Sequence, residues 1–316
     1  MTTQTVEATT TGTAPDVQPW RLFGVRVSAV RRLSPSYVRI TFTGPDLDRF
    51  ADPGLDQRIK LVLPAPGRDG FDGVPMDRGW AGLYELPDEV RPRLRTYTTR
   101  ALRPDVRELD IDLVLHGDVG PASRFAGAAA PGDVVAVLGP NADYDGDPGG
   151  LEFRCPDGVP VLLVGDETAL PAIARILEEL PADATGEAVV EVPLGGDRLD
   201  LRRPAGVRLT WLPRDEAGLD PQEPGGSLLQ AAVVEALART WPRLIGAAHT
   251  GEDVPDTDED LPWDVPQTVV GTDLYAWMAG ESGAITRLRR YLVRDLGIER
   301  QKVAFMGYWK HGRVLD

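Results

Sequence analysis

Cysteine and histidine are the scarcest reactive residues of this 316-residue chain. Cys155 is the only cysteine, which excludes a disulfide within the chain and a cysteine-ligated iron–sulfur cluster, and it fits a reducing cytoplasm. The three histidines, His116, His249 and His311, are far apart in sequence. We therefore expect no dedicated metal site in the protein.

Long apolar runs and an excess of positive charge are also missing. No stretch of 18 apolar residues occurs, and the N-terminus lacks the basic and apolar regions of a signal peptide, so we expect a cytoplasmic protein without membrane insertion. The balance of 34 basic against 49 acidic residues gives a net charge of −15, which disfavours nucleic acid as a partner. An anionic ligand would therefore need a local basic pocket.

The first half of the chain has the pattern of a β-protein. Six short alternating or β-branched runs, separated by turn residues, predict an antiparallel six-stranded β-barrel. The runs are RLFGVRVSAVRRL, SYVRITFTG, QRIKLVLP, LRTYTTRAL, ELDIDLVLH and DVVAVLGP. The long segment 64–93, which is dense in glycine, proline and charge, is predicted to be an excursion between strands.

In the second half, apolar strands alternate with helical patterns, which predicts an α/β doubly wound parallel sheet. The run VPVLLV (159–164) is typical of a strand buried on both faces, and Thr168 is the expected N-cap of the helix that follows it. A later helix is predicted from Glu281 to Leu296, with Gly297 closing it.

These patterns divide the chain. We expect a disordered leader over 1–18, a barrel domain over 19–145, a linker over 146–158 and an α/β domain over 159–316. An acidic insertion, residues 250–266, is expected to interrupt the second domain.

The stretch RTYTTR, residues 95–100, combines two guanidinium groups, a phenol ring and three hydroxyls. Alternate residues of a strand face the same side, so Arg95, Tyr97 and Thr99 would share one face. That face would be cationic and aromatic, which suits a ligand with phosphate at one end and a flat ring at the other. The alternative is an ordinary β-rich stretch with solvated arginines.

Six motifs, in their order and near their spacing, resemble the siderophore-interacting proteins, which are FAD-dependent ferric-siderophore reductases of the ferredoxin-reductase superfamily. The similarity extends from about Trp20 to Arg313, and the pairing of GDETALPAI with GYWKHG is its most discriminating part. The motifs are RTYTTR, LVLHGDVGPASRFA, PGDVVAVLGP, VLLVGDETALPAIARILEELP, WMAGES and GYWKHG. The resemblance implies that the barrel binds FAD and that the α/β domain receives NADH or NADPH.

The resemblance also implies a set of FAD contacts. It places Arg95 on the pyrophosphate, Tyr97 against the isoalloxazine and Thr98 near the polar edge of the ring. His116 belongs to this set, although a polar residue capping a strand end is an alternative interpretation. The full FAD set is Arg95, Tyr97, Thr98, His116, Gly117, Gly120, Ala122, Ser123, Asp166, Thr168 and Trp309.

The second domain lacks the G-x-G-x-x-G fingerprint of dinucleotide-binding turns and has VGDETA in its place. Asp166 and Glu167 are acidic where a pyrophosphate would favour bare amides, so the cofactor that meets this turn stays open. Gly280 would let nicotinamide approach the flavin, or it would belong to a strand-to-helix turn capped by Glu281. The implied NAD(P) contacts are Glu167, Ala169, Gly280 and Glu281.

The choice between the two nucleotides stays open as well. Basic residues follow the second parallel strand, where they would suit the 2′-phosphate of NADPH. Asp197, in the same segment, would equally suit the free ribose of NADH. The basic residues are Arg198, Arg202 and Arg203.

Lys60 and Arg58 share one face of the predicted strand RIKLVL, and in an average barrel that face is simply solvated. The resemblance implies instead a basic patch that attracts an anionic ferric siderophore, of catecholate or hydroxamate type. The implied siderophore contacts are Lys60 and Lys310, followed by Arg58 and His311.

The reaction implied is hydride transfer from NAD(P)H to FAD, followed by single-electron transfer to Fe(III) in the siderophore, which releases Fe(II). No catalytic side chain and no protein metal ligand are implied, and we expect a monomer or weak dimer. One alternative is a general NAD(P)H:flavin-type reductase that reduces a small redox protein or a quinone. Another is a non-catalytic module that binds siderophore or FAD.

Overall fold

The structure is a computed structural model that describes residues 17–68, 70–115, 120–245 and 263–312. Among the described residues, the barrel domain has seven strands and two short α-helices. The strands are β1 (Trp20–Ser34), β2 (Tyr37–Thr43), β3 (Arg58–Leu63), β4 (Arg93–Thr98), β5 (Ala101–Arg103), β6 (Glu108–Val114) and β7 (Val134–Pro140). The helices are α1 (Gly79–Tyr84) and α2 (Pro121–Ala128).

These strands form one antiparallel sheet in the order β4-β3-β7-β1-β2-β6-β5. Its two edge strands are consecutive in the chain, because the backbone changes partner at Thr99 and Arg100. The amide of Thr99 donates to the carbonyl of Gln57 beside β3, whereas the amide of Arg100 donates to the carbonyl of Asp110 in β6, both at 2.9 Å. The sheet therefore curls as predicted, and the predicted strand LRTYTTRAL is split into two.

The interior of the barrel is apolar because alternate residues of each strand point inward. Ile59 and Leu61 of β3, with Ile40 and Phe42 of β2, are completely buried there. The predicted excursion 64–93 contains a helix that the sequence did not indicate. Leu83 of this helix, α1, packs in a cluster on the outer face of the barrel sheet. The other members of this outer-face cluster are apolar residues that point away from the barrel interior, namely Leu22, Val62, Ala136 and Leu138.

In the part of the α/β domain that the structure describes there are six strands and three α-helices. The strands are β8 (Val161–Gly165), β9 (Thr185–Val192), β10 (Gly206–Pro213), β11 (Trp263–Asp264), β12 (Tyr275–Glu281) and β13 (Val303–Trp309). The helices are α3 (Leu170–Glu179), α4 (Leu229–Thr240) and α5 (Ser282–Arg289), which a π-helical turn, Arg290–Asp295, prolongs. None of the helices in the described ranges has the length and apolarity needed to cross a bilayer.

The strand order of this sheet is β10-β9-β8-β12-β13-β11. Strands β8, β9, β10, β12 and β13 are parallel, and α3 packs on one face while α4 and α5 pack on the other. The doubly wound sheet is therefore confirmed, with β11 as a short antiparallel edge. The order reverses between β8 and β12, and ligands bind at such a switch point beyond the carboxyl ends of the strands.

Two details differ from the sequence-based expectation. Thr168 is not the N-cap of α3, because the helix begins after Ala169 and the Thr168 hydroxyl donates to Asp166 instead. Strand β11 lies within the predicted acidic insertion 250–266, most of which is outside the described residues.

Buried hydrogen bonds join the two domains. In each bond, a polar side chain of one domain has its hydrogen-bond partner in the other domain. Separating the domains would therefore break these bonds and leave their polar groups unpaired. The bonds run from Trp277 Nε1 to Asp56 at 2.9 Å, from Ser34 Oγ to Asp197 at 2.7 Å, and from the Tyr37 hydroxyl to the Glu167 carbonyl at 2.9 Å.

Candidate functional site

The turn after β8 carries Asp166, whose side chain is fully buried at the switch point. Its Oδ1 accepts hydrogen bonds from the amide and the hydroxyl of Thr168, at 2.9 and 2.6 Å. Its Oδ2 accepts from the Glu281 amide at 2.7 Å and from Trp309 Nε1 at 2.9 Å. The carboxylate therefore joins the ends of β8, β12 and β13, while its predicted contact with FAD stays a prediction.

Position 280 requires glycine because of its backbone conformation and its closeness to this carboxylate. Its φ of +149° is unfavourable for other residues, and a Cβ atom there would lie 2.7 Å from Oδ2 of Asp166. The next residue, Glu281, caps α5 by accepting a hydrogen bond from the Ala284 amide at 2.9 Å. The strand-to-helix turn is therefore present, and an approach of nicotinamide to Gly280 stays a prediction.

Trp309, at the end of β13, is held by hydrogen bonds of both its side chain and its backbone. Its indole donates to Asp166, and its carbonyl accepts a hydrogen bond from the Ser282 hydroxyl at 2.7 Å. The backbone amide of His311 lies 3.4 Å from Glu281 Oε1, so the GYWKHG segment adjoins the MAGES turn. The two motifs that the resemblance paired are thus neighbours in space.

A buried ion-pair network lies beside Asp166, and sequence reasoning missed most of it. Arg214 forms two hydrogen bonds with Glu167, at 2.8 and 3.0 Å, and one with Glu191 at 3.2 Å. All three side chains are at most 2% exposed. Both carboxylate oxygens of Glu167 are therefore engaged, which gives this predicted NAD(P) contact a structural role.

Glu191 carries the network into the segment before α4. Its carboxylate accepts hydrogen bonds from the amides of Gly226 and Leu228, at 2.8 and 2.9 Å. Arg214 also donates to the carbonyl of Pro221 at 3.1 Å. The network therefore fixes a segment that lies over the carboxyl ends of β9 and β10. The second glutamate of the mostly apolar run EAVVEVPL was the only signal in the sequence.

We expect the stability of the protein to depend on the ionisation of Glu167. Burial, and then the nearby charge of Asp166, raise its pKa from 4.5 to about 7, although Arg214 opposes the shift. Because the folded state binds this proton more tightly, its contribution is full below pH 4.5 and is lost as the pH rises through 7. Chemical denaturation of the wild type and Glu167→Gln across this range should show their stability difference changing by up to about 3 kcal/mol. A difference that does not vary with pH would contradict the shift.

Asp197 is not available to a nucleotide ribose. It is fully buried, and its carboxylate accepts hydrogen bonds from the Ser34 hydroxyl, the Ser36 amide and the Leu194 amide, at 2.7, 2.8 and 3.0 Å. The interpretation of Asp197 as a ribose ligand is therefore wrong, because this residue is part of the domain junction. Its neighbour Arg198 is paired with Glu216 on the surface.

On the barrel side, strand β4 places Arg95, Tyr97 and Thr98 beside β3. Arg95 donates to its neighbour's carbonyl at 2.7 Å and forms no ion pair with the described residues. Tyr97 packs against the barrel core, and burial raises the pKa of its hydroxyl to about 12. Thr98 is buried directly across from Arg58. An arginine without a carboxylate partner, beside a neutral ring, fits the phosphate and ring of FAD.

The second barrel segment fits as well. Gly120 has a φ of +119° with open space where a Cβ atom would be, and it directly precedes α2. Ala122 and Ser123 lie in the first turn of that helix, where backbone amides have no intrahelical acceptor and can bind phosphate. His116 and Gly117, the other predicted contacts, lie outside the described residues.

The predicted siderophore residues are only partly assembled. Lys60 and Arg58 point to the same outer side of β3, as expected. Arg58 is paired with Glu152, whereas Lys60 contacts the Thr96 hydroxyl and has no acidic partner in the described part of the chain. Burial, Arg58 and Arg95 together lower the pKa of Lys60. Lys310 and His311 follow β13, at the Glu281 turn.

The described ranges contain no cluster of three or more His, Cys, Asp or Glu side chains that could hold a metal ion. The polar groups that converge at the switch point are instead tied to one another or to backbone amides. Lys60 of β3 and Arg95 of β4 are not among these paired groups, because the hydrogen bonds they form go to a hydroxyl and to a carbonyl.

Comparison with known proteins agrees with the motifs. Two family models match the chain, one described as a siderophore-interacting FAD-binding domain over residues 26–144 and one as siderophore-interacting protein over residues 160–312. The ferric vibriobactin reductase ViuB of Vibrio cholerae is 30% identical over 281 residues, which cover 89% of this chain and 86% of ViuB.

Two further similarities point the same way. The NADPH-dependent ferric-chelate reductase of Escherichia coli is 34% identical over 198 residues, which cover 61% of this chain and 72% of that protein. The crystal structure of the siderophore-interacting protein SipS from Aeromonas hydrophila has a TM-score of 0.64 and 33% identity, with 93% of each chain covered. The resemblance inferred from the motifs is confirmed, and so is FAD as the cofactor of the barrel domain.

Proposed function

Because the chain belongs to the siderophore-interacting protein family, we propose that it is an FAD-dependent reductase that oxidises NADH or NADPH and delivers single electrons to the Fe(III) of a bound siderophore. One observation supports this most directly. In the β3–β4 register, Lys60 lies opposite Thr96 and Arg58 lies opposite Thr98. Arg58, one of the cations proposed for the siderophore, and Thr98, the residue proposed for the flavin edge, are thus cross-strand neighbours with about 5 Å between their Cα atoms.

The residues of this chain would hold FAD in the following way. Arg95 and the first-turn amides at Ala122 and Ser123 would bind the pyrophosphate, and Tyr97 and Thr98 would contact the ring. Trp309, whose indole is fixed by Asp166, would contact the ring from the α/β domain. When bound, FAD takes up two electrons together and passes them on one at a time.

The remaining residues act on the substrate. Lys60 and Arg58 attract an anionic ferric complex to a protein whose net charge of −15 would otherwise repel it. Reduction to Fe(II) weakens the grip of hard oxygen donors, so the metal leaves the chelator after electron transfer. We place this reaction in the cytoplasm, where the single, half-buried Cys155 would stay reduced.

The test is an anaerobic titration of the purified flavoprotein with NADH and with NADPH. We expect bleaching of the flavin band near 450 nm by at least one nucleotide, followed by recovery within seconds after a ferric siderophore is added. Ferrozine, which binds Fe(II), should report iron release in proportion to the recovered absorbance.

Three controls separate the alternatives. Ferredoxin and a soluble quinone are added in place of the ferric complex, and photoreduced enzyme is used if neither nucleotide bleaches the band. Recovery with ferredoxin or quinone alone would favour the general flavin reductase. The non-catalytic binding module would be favoured if neither nucleotide reduces the flavin and the photoreduced flavin passes electrons to none of the acceptors.

A further inference from the structure

A cleft lies where the barrel domain packs against α3 of the α/β domain, and its volume is about 290 Å³. Its walls come from both domains. The barrel contributes Arg31 of β1, Arg39 of β2 and Arg100 after β4, and the α/β domain contributes Leu170 and Ala174 of α3 and Leu199 after β9. We call this space the junction cleft.

The junction cleft is separate from the sites proposed above. Within the described ranges, its lining includes none of the residues predicted to bind FAD, NAD(P)H or the siderophore. Boundaries between domains are a common location of small-molecule sites. Because a water molecule takes up about 30 Å³ of the liquid, the cleft has room for a ligand of about ten non-hydrogen atoms, which is far smaller than a dinucleotide.

The barrel wall of the cleft is cationic. Asp112 neutralises Arg39 through two hydrogen bonds, at 2.6 and 2.7 Å, and Glu178 neutralises Arg100 through two more, at 2.9 and 2.5 Å. The Arg31 guanidinium, in contrast, forms no hydrogen bond or ion pair with the described residues, although Arg31 lies directly opposite Arg39 in the β1–β2 register. Like charges in opposite positions of a sheet are destabilising, so an anion bound beside them would be stabilising.

The remaining charges of the lining limit how much negative charge a ligand can carry. Arg32 donates to the backbone carbonyls of Ser34, at 2.7 Å, and of Pro35, and it has no acidic partner in the described part of the chain. Asp200, on the α/β side, is exposed and contributes one negative charge. Arg31 and Arg32 against Asp200 leave a charge of +1, which suits a monoanion better than a polyanion.

The opposite wall of the cleft is apolar. Leu170 and Ala174 belong to the buried core of the α/β domain, and Leu199 packs against that core. Leu33 of β1, which also lines the cleft, packs on the same core from the barrel. A ligand in the cleft would therefore have its charged end at the barrel arginines and its apolar body against α3.

We propose that the junction cleft binds a small organic monoanion, a carboxylate joined to an apolar body, at a site separate from those of the cofactors and the siderophore. The carboxylate pairs with Arg31 as Asp112 pairs with Arg39. Because the two walls belong to different domains, the bound ligand strengthens the domain junction and stabilises the folded protein by mass action. This inference does not depend on the proposed function.

Octanoate is the probe, because it has one carboxylate, an apolar chain and about the ten non-hydrogen atoms that the cleft can hold. Titration calorimetry of the FAD-bound protein should show saturable binding of octanoate. Acetate, which lacks the chain, and 1-octanol, which lacks the charge, should bind at least about tenfold more weakly. Arg31→Gln should weaken octanoate binding about tenfold and Leu199→Ser about fivefold, whereas Asp200→Asn should strengthen it about twofold because a repelling charge is removed.

Arg26→Gln is the matched control, because Arg26 is an exposed arginine of the same strand that lies outside the lining, and its octanoate affinity should equal that of the wild type. The melting temperature of the wild type should rise with octanoate concentration, and that of Arg31→Gln should rise much less. The proposal is overturned by any of three results: no saturable binding of octanoate, equal binding of acetate or 1-octanol, or equal weakening in Arg26→Gln and Arg31→Gln. None of them bears on the reduction of a ferric siderophore, which the flavin titration tests separately.

Discussion

Replacing Arg214 by methionine is expected to lower the free energy of unfolding by about 3–5 kcal/mol. The guanidinium is 1% exposed and binds Glu167 and Glu191, which are 2% and 0% exposed. Without it, two carboxylates remain buried with no cation, and burying a single uncompensated charge already costs several kcal/mol. Urea unfolding followed by circular dichroism at pH 8 measures the loss.

A double-mutant cycle separates this electrostatic origin from lost packing. Adding Glu167→Gln to Arg214→Met should recover part of the stability, because one of the stranded carboxylates becomes neutral. Arg198→Met serves as the control, since Arg198 pairs with Glu216 on the surface and its loss should leave the unfolding midpoint almost unchanged. Additive effects of the two buried substitutions would count against a coupled network.

Asp166→Ala is expected to abolish stable flavin binding, because one carboxylate orients three parts of the proposed site. Its loss would free the Trp309 indole and the Glu281 amide, and each buried donor left without an acceptor costs about 1–3 kcal/mol. We expect FAD to dissociate at least about 100-fold more readily, the effect of losing about 3 kcal/mol of orientation. Equilibrium titration of the apoprotein, followed by flavin fluorescence, gives the affinity.

Two further variants serve as controls for Asp166→Ala. Asp157→Ala removes an exposed carboxylate in the segment before β8, and it should leave both flavin affinity and melting temperature unchanged. Asp166→Asn keeps one acceptor oxygen and should lie between the wild type and the alanine variant. Flavin affinity that survives in Asp166→Ala would mean that Trp309 and the turn hold their places without this carboxylate.

The two-domain architecture could be predicted from local patterns. Alternation in RIKLVL placed Ile59 and Leu61 inside the barrel and Arg58 and Lys60 outside, and all four lie there. The switch from short alternating runs to VPVLLV marked the parallel sheet for the same reason, because a strand covered on both faces has no polar side. The spacing of apolar residues shows which side chains are buried, and burial determines where these strands form.

Contacts between distant residues could not be predicted in this way. Asp197 was compatible with a ribose because nothing near it in sequence shows that Ser34 and Ser36, more than 160 positions earlier, occupy its oxygens. Arg214 was not recognised because its partners, Glu167 after β8 and Glu191 in β9, lie 47 and 23 positions earlier in the chain. Helix α1 was missed because its apolar residues complete an outer-face cluster that only the folded barrel creates.

The bond between Trp277 and Asp56 constrains how the molecule can move. Trp277 lies in the middle of β12 and is completely buried, and the second oxygen of Asp56 accepts the amides of Glu152 and Phe153. Swinging one half of the protein away from the other would break this buried hydrogen bond at a cost of about 1–3 kcal/mol, so we expect the closed arrangement to dominate. If the proposed reaction takes place, we therefore expect turnover without hinge opening, with the ferric complex entering and leaving from the surface while the domains stay together.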